Sequence, residues 1–138
     1  MKVYIVRHGQ VLHNAMKQYN TSDEDLTELG IKQAEELRDK IKDMKFDIII
    51  SSPLIRAKHT ANIININNNK IIFEDRIKER SCGDLSGKPL EVTNREEYWN
   101  YYTTIKYGTS EDIKLFFERV YNFLDELKTK DYDNVLIV

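Results

Sequence analysis

Four short apolar runs, Val3–Val6, Asp47–Ile50, Lys70–Phe73 and Asn134–Val138, constrain this chain more than anything else in it. Each is rich in β-branched residues and unbroken by polar ones, the pattern of a strand covered on both faces. Helical patterns lie between them. Thr27 can cap a helix whose stripe is Ile31, Ala34, Leu37 and Ile41. Ser52-Pro53 reads as the cap and first residue of another. A third, from near Ser110, carries Ile113, Phe116, Phe117, Val120, Leu124 and Leu127 on one face. Asn65–Asn69 is expected to be a loop, the aromatic segment Tyr98–Tyr107 a helix, and the charged, glycine-punctuated stretch Glu74–Gly87 a functional loop. Strands alternating with helices predict a three-layer α/β/α fold with a mostly parallel sheet. Ligands of such sheets sit beyond the carboxyl ends of the strands.

Residues fitted for chemistry fall at those ends. Arg7-His8-Gly9 closes the first run, Asn14 follows in the loop above it, and Ser51-Ser52 closes the second. Arg56 stands in the first turn of the next helix, and Glu79 shortly after the third run. Charge decides what this edge can bind. With 21 basic and 23 acidic side chains the chain carries −2 overall, so no basic excess points to nucleic acid or a membrane surface. An anionic ligand must therefore be met by a few local arginines. The single cysteine, Cys82, excludes an internal disulfide framework, and no apolar run approaches bilayer length, so the expected compartment is the cytoplasm. No cofactor is expected: glycine patterns for dinucleotides or phosphate loops are missing, and His8, His13 and His59 lack metal-ligand spacing.

The motifs VRHGQ, LTELGIKQA, SSPLIRAKHTA and ERSCGDLSG, in this order, resemble the histidine phosphatase (phosphoglycerate mutase-like) superfamily. The resemblance is close from Met1 to about Gly87 and continues beyond as a helix-then-strand pattern. It implies a single domain, 1–138, of phosphoglycerate mutase-like fold, and hydrolysis of a small-molecule phosphate ester through a phosphohistidine. His8 would attack phosphorus, Arg7 and Arg56 would clamp the phosphate with guanidinium forks, and Asn14 would add a neutral donor. Gly9 would keep the backbone small beside the phosphate. Glu79 would protonate the leaving oxygen and later activate water.

Competing readings exist for each residue. Glu79 could be a solvated carboxylate, with Glu74 and Asp75 the neighbours most easily confused with it. His13 and His59 read as loop and helix-surface residues. A cysteine-phosphatase role for Cys82 needs an arginine six positions on, where Lys88 stands. Tyr98, Trp99, Tyr101, Tyr102 and Tyr107 could line a pocket, though packing is the better account. A phosphoglycerate mutase is the alternative enzyme. The 59 residues from Glu79 to Val138 (138 − 79) hold only Arg80, Arg95 and Arg119, which favours the small bacterial phosphatase branch. The resemblance also places a second histidine, in a His-Gly pair, directly after the strand NVLIV. The domain is therefore expected to be C-terminally incomplete. A catalytically impaired phosphate-binding module and a homo-oligomer paired through an exposed first-strand edge are the corresponding expectations.

Overall fold

The computed structural model describes residues 1–138. Strands β1 (Lys2–Ile5), β2 (Ile48–Ser51), β3 (Ile71–Phe73) and β4 (Asn134–Ile137) make one sheet in the order β1-β4-β2-β3, every pair parallel. Parallel neighbours require crossovers, and helices supply them. Helices α1 (Leu12–Ala15) and α2 (Glu28–Ile41) lead from β1 to β2, and α3 (Ile55–Ile64) leads from β2 to β3. Helices α4 (Arg95–Tyr98) and α5 (Ile113–Leu127) lead from β3 to β4.

The strands sort their side chains by alternation. Ile48, Ile50, Val135 and Ile137 face Phe123 and Leu127 of α5. Ile49 and Leu136 face the other way, against Phe46 and against Ala61 and Ile64 of α3, with Leu37 and Ile41 of α2 closing the edge. Each such buried aliphatic side chain is worth about 1.5–3 kcal/mol of transfer free energy, which is why the unbroken isoleucine run lies in the middle layer. No helix is long and apolar enough to cross a membrane.

Three local expectations need correction. β1 is not buried: it is an edge strand, and Val3 and Ile5 are 42% and 76% exposed because α5 covers β2 and β4 but not β1. Ser52 does not cap α3. Its N–H donates to the Val138 carbonyl at 2.9 Å, so the sheet ladder runs through Ser52 and the helix starts only after Leu54. The segment after Tyr98 is not helical. Asn100 Oδ1 accepts from the Tyr102 N–H at 2.9 Å and Thr103 Oγ1 from the Ile105 N–H at 3.1 Å, and such local bonds compete with a helix ladder. Its aromatics pack on one another, with Tyr98 edge-on to Tyr19, Trp99 and Tyr107.

Thr27 does cap α2, its Oγ1 accepting from the Gly30 N–H at 3.1 Å. α5 starts at Ile113, close to the expected Ser110, and Asp112 caps it, its Oδ1 accepting from the Lys114 N–H at 2.8 Å.

Candidate active site

β1 delivers Arg7 and His8 to the carboxyl edge, and the chain leaves the sheet through Gly9. His8 Nδ1 donates to the Gly9 carbonyl at 2.7 Å, which fixes the proton on that nitrogen and leaves Nε2 with no partner in the fold. Burial lowers the His8 pKa from its usual value of 6.5; the Arg56 and Arg7 cations lower it further, against the Gly9 carbonyl and Glu79. The imidazole is therefore neutral near pH 7, with a lone pair available.

Gly9 is buried. Its N–H donates to Thr60 Oγ1 at 3.1 Å, and that hydroxyl donates to the Arg56 carbonyl at 2.8 Å, tying the His8-Gly9 segment to α3. A Cβ on Gly9 would stand 2.2 Å from the Gly30 carbonyl oxygen. The demand for glycine at this position thus comes from packing on α2, a cause that the view of Gly9 as spare room beside a phosphate missed.

Arg56 and Glu79 meet directly. The Arg56 guanidinium, 3% exposed, donates through Nη2 to Glu79 Oε2 at 2.9 Å and through Nη1 to the Thr21 carbonyl at 2.9 Å. Glu79 stays 39% exposed and also accepts from Asn20 Nδ2 at 3.1 Å. Asn14 reaches the same carboxylate indirectly: its Nδ2 donates to Asn20 Oδ1 at 3.0 Å, and its Oδ1 accepts from the Val11 N–H at 3.3 Å. Sequence reasoning missed Asn20 and Thr21, since neither belongs to a charged motif. The two rival carboxylates are engaged elsewhere. Glu74 is held by Arg76 at 2.7 Å, and Asp75 pairs with Lys78.

The loop carrying Glu79 is braced from α5. Arg119 donates to the Arg76 carbonyl at 2.6 Å, to the Glu79 carbonyl at 3.4 Å, and through Nε to Glu111 Oε1 at 2.7 Å. Buried Arg80 donates to the Glu111 carbonyl at 2.8 Å and to the Tyr98 carbonyl, and lies 3.9 Å over the Tyr98 ring. These partners are far apart in sequence, so no local pattern announced them.

The remaining candidates, His13, His59 and Cys82, do not border the His8 cleft. His13 and His59 each face a carboxylate, Glu24 at 2.5 Å and Asp25 at 2.7 Å. Cys82 is buried, and burial pushes its thiol pKa up, away from a nucleophilic thiolate. Nowhere do three His, Cys, Asp or Glu side chains gather as a metal-binding set. What converges is a cleft of about 320 Å³ bordered by Arg7, His8, Ser52, Leu54, Arg56 and Glu79. A neutral imidazole nitrogen, two guanidiniums and one carboxylate around one opening suit a tetrahedral dianion.

The model of the histidine phosphatase superfamily (branch 1) matches residues 3–138. The uncharacterized phosphatase PhoE of Bacillus subtilis is 40% identical over 106 residues, spanning 75% of this chain and 55% of PhoE. The fructose-2,6-bisphosphatase TIGAR of Xenopus tropicalis is 43% identical over 93 residues, spanning 62% of this chain and 34% of TIGAR. The crystal structure of the α-ribazole phosphatase from Shigella flexneri superposes with a TM-score of 0.86 at 26% identity, covering 100% of this chain and 73% of that one.

Proposed function

This chain belongs to the histidine phosphatase superfamily, and from that premise we propose that it hydrolyses small phosphate monoesters through a phosphohistidine on His8. One observation carries the reading: His8 presents an unprotonated, unpartnered Nε2 in the cleft that Arg7, Arg56 and Glu79 also border. In the first step Nε2 attacks phosphorus while the ester P–O bond breaks, and Glu79 gives its proton to the departing oxygen. In the second, Glu79 takes a proton from water, the hydroxide attacks phosphorus, and the P–N bond breaks to return His8 and release inorganic phosphate. Arg7 and Arg56 hold the equatorial oxygens. Substrate must displace Glu79 from Arg56, because both anions address the same guanidinium. Asn14 acts by orienting Asn20 on the Glu79 carboxylate.

Hydrolysis is favoured over mutase transfer by the fate of the arginines after Glu79. Arg80 and Arg119 are bound to carbonyls and to Glu111, which leaves only Arg95 free to meet a ligand. The same proposal includes a cytoplasmic location and association of copies through β1, supported by its edge position and its exposed Val3 and Ile5. The central test is to quench the full chain under base after brief exposure to a labelled aryl phosphate. A base-stable, acid-labile adduct should form and vanish in His8→Ala. An adduct on Cys82 or a serine overturns the assignment.

A further inference from the structure

Residues 20–25 touch both members of the Arg56–Glu79 pair: Asn20 donates to Glu79, and the Thr21 carbonyl accepts from Arg56. Yet no backbone–backbone hydrogen bond forms within this segment or from it to the rest of the fold. Its flanks are fixed, Tyr19 by backbone bonds with Lys88 and Gly87 at 2.9 Å, and Leu26 by a bridge to Val11. Between those flanks the backbone is held by side chains. A segment held in this way takes its position from whichever side chain is itself best fixed.

That side chain is Glu24, only 8% exposed. Its Oε1 accepts from the His13 N–H at 3.0 Å and from His13 Nδ1 at 2.5 Å, and its Oε2 accepts from the Thr21 N–H at 2.9 Å. Burial alone would raise the Glu24 pKa, but the bonds from His13 and Thr21 outweigh it and hold the carboxyl below its usual value. All three donors therefore end on a charged acceptor, the stronger kind. The N–H that Glu24 holds and the carbonyl that meets Arg56 belong to one residue, so fixing the first places the second. The next residue makes the contrast. Asp25 pairs with His59 at 2.7 Å, but the two are 54% and 35% exposed.

The Arg56 guanidinium has two partners, Glu79 and the Thr21 carbonyl. Once a phosphoryl group displaces Glu79, the Thr21 carbonyl is the one protein acceptor left on it. A neutral acceptor aims the guanidinium fork without offsetting its charge. We infer that Glu24, clamped by His13, is a positioning residue for the phosphate clamp: it fixes Thr21, and through Thr21 it keeps Arg56 aimed at the phosphoryl oxygens after Glu79 has let go. This role rests on the phosphatase reading and brings into it a histidine, His13, that touches no reacting atom.

The test pairs p-nitrophenyl phosphate turnover with a titration of inorganic phosphate followed on the His8 ring signals by NMR, using full chains that circular dichroism shows to be folded. Glu24→Ala should weaken phosphate binding and lower kcat/KM, each by about ten- to hundred-fold, the range for losing a charge-assisted hydrogen bond or misplacing a group by near 1 Å. Glu24→Gln keeps one acceptor oxygen and should lose less, about three- to ten-fold. Asp25→Ala should stay within about three-fold of wild type, as exposed pairs do. The deciding measurement is made in an Arg56→Gln background, where Glu24 has nothing left to aim. There Glu24→Ala should weaken phosphate binding by no more than about two-fold further. A folded Glu24→Ala chain that binds phosphate as wild type does, a loss just as large in the Arg56→Gln background, or an equal loss in Asp25→Ala overturns the inference. If Glu24→Ala does not fold, Glu24→Gln carries the same comparison. Failure of the phosphatase reading looks different: no ester is turned over, yet phosphate binding still weakens in Glu24→Ala and the loss still depends on Arg56.

Discussion

Replacing Gly9 by alanine should damage both stability and turnover through one contact. The added methyl would lie 2.2 Å from the Gly30 carbonyl oxygen, 2.8 Å from its carbon and 2.9 Å from its Cα, all backbone atoms that cannot swing aside. Ordinary contact begins at 3.4 Å, so the Gly9 segment and α2 must separate by about 3.4 − 2.2 = 1.2 Å. Overpacking of this order costs about 1–3 kcal/mol. At this chain length each kcal/mol moves the melting temperature by about 3–5 °C, so a drop of roughly 3–15 °C is expected. The same displacement acts on the residue whose carbonyl holds His8 Nδ1 and whose N–H holds Thr60. A misplacement near 1 Å commonly costs about a hundredfold in rate. Thermal melting by circular dichroism, with p-nitrophenyl phosphate turnover at 20 °C, reads both. Gly30→Ala meets the Gln10 carbonyl at the same 2.2 Å and should lose stability too, less the roughly 1 kcal/mol of helix propensity that alanine returns. Since either substitution opens the same gap, the double variant should fall short of the sum. A Gly9→Ala protein with unchanged melting temperature and turnover would refute the argument.

The brace on the Glu79 loop predicts that Arg119→Gln lowers kcat for alkyl phosphates about ten-fold and for activated aryl phosphates much less, with KM little altered and partial recovery in Arg119→Lys; an equal loss on both classes would mean that Arg119 does not position the acid. Because burial and two arginines lower the His8 pKa, its proton NMR titration should fall below 6.5, and Arg56→Gln should move the midpoint upward by removing one of those cations; a wild-type midpoint above 6.5 contradicts the site electrostatics. Pairing through β1 predicts concentration-dependent association in sedimentation velocity that Ile5→Lys abolishes, whereas a wild-type chain monomeric at about 100 μM would remove that part of the proposal.

What was legible in the sequence was what depends on short range. The isoleucine run, the Thr27 cap and the positions of His8, Arg56 and Glu79 at strand ends follow from local pattern and from the rule that parallel sheets bind at their carboxyl edge. What misled depends on partners distant in the chain. An apolar run says that Val3 and Ile5 favour burial, not that α5 reaches them. Ser52-Pro53 carries a good helix-start signal, but the sheet ladder reaches the Ser52 N–H and α3 opens only after Leu54, beyond the reach of a Ser52 cap. The aromatic segment 98–107 has bulk enough for a helix, yet Asn100 and Thr103 turn its backbone with their own side chains. Asn20, Thr21, Glu111 and Arg119 were invisible because their roles arise only when loops far apart in sequence meet.

The sheet order also governs how the molecule assembles in time. β4 lies between β1 and β2, so Lys2 must find Asn134 across 132 residues (134 − 2) before β1 belongs to the sheet at all. Loops that long close at an entropic cost not repaid until the ladder forms, and topologies dominated by such contacts fold slowly. On a ribosome, β2, α3 and β3 can pair as soon as they emerge, while β1 waits without a neighbour. Arg7 and His8 hang on β1, and Arg56 on the helix after β2. A nascent chain ending at Lys130 would hold every side chain of the proposed chemistry and still have no active site.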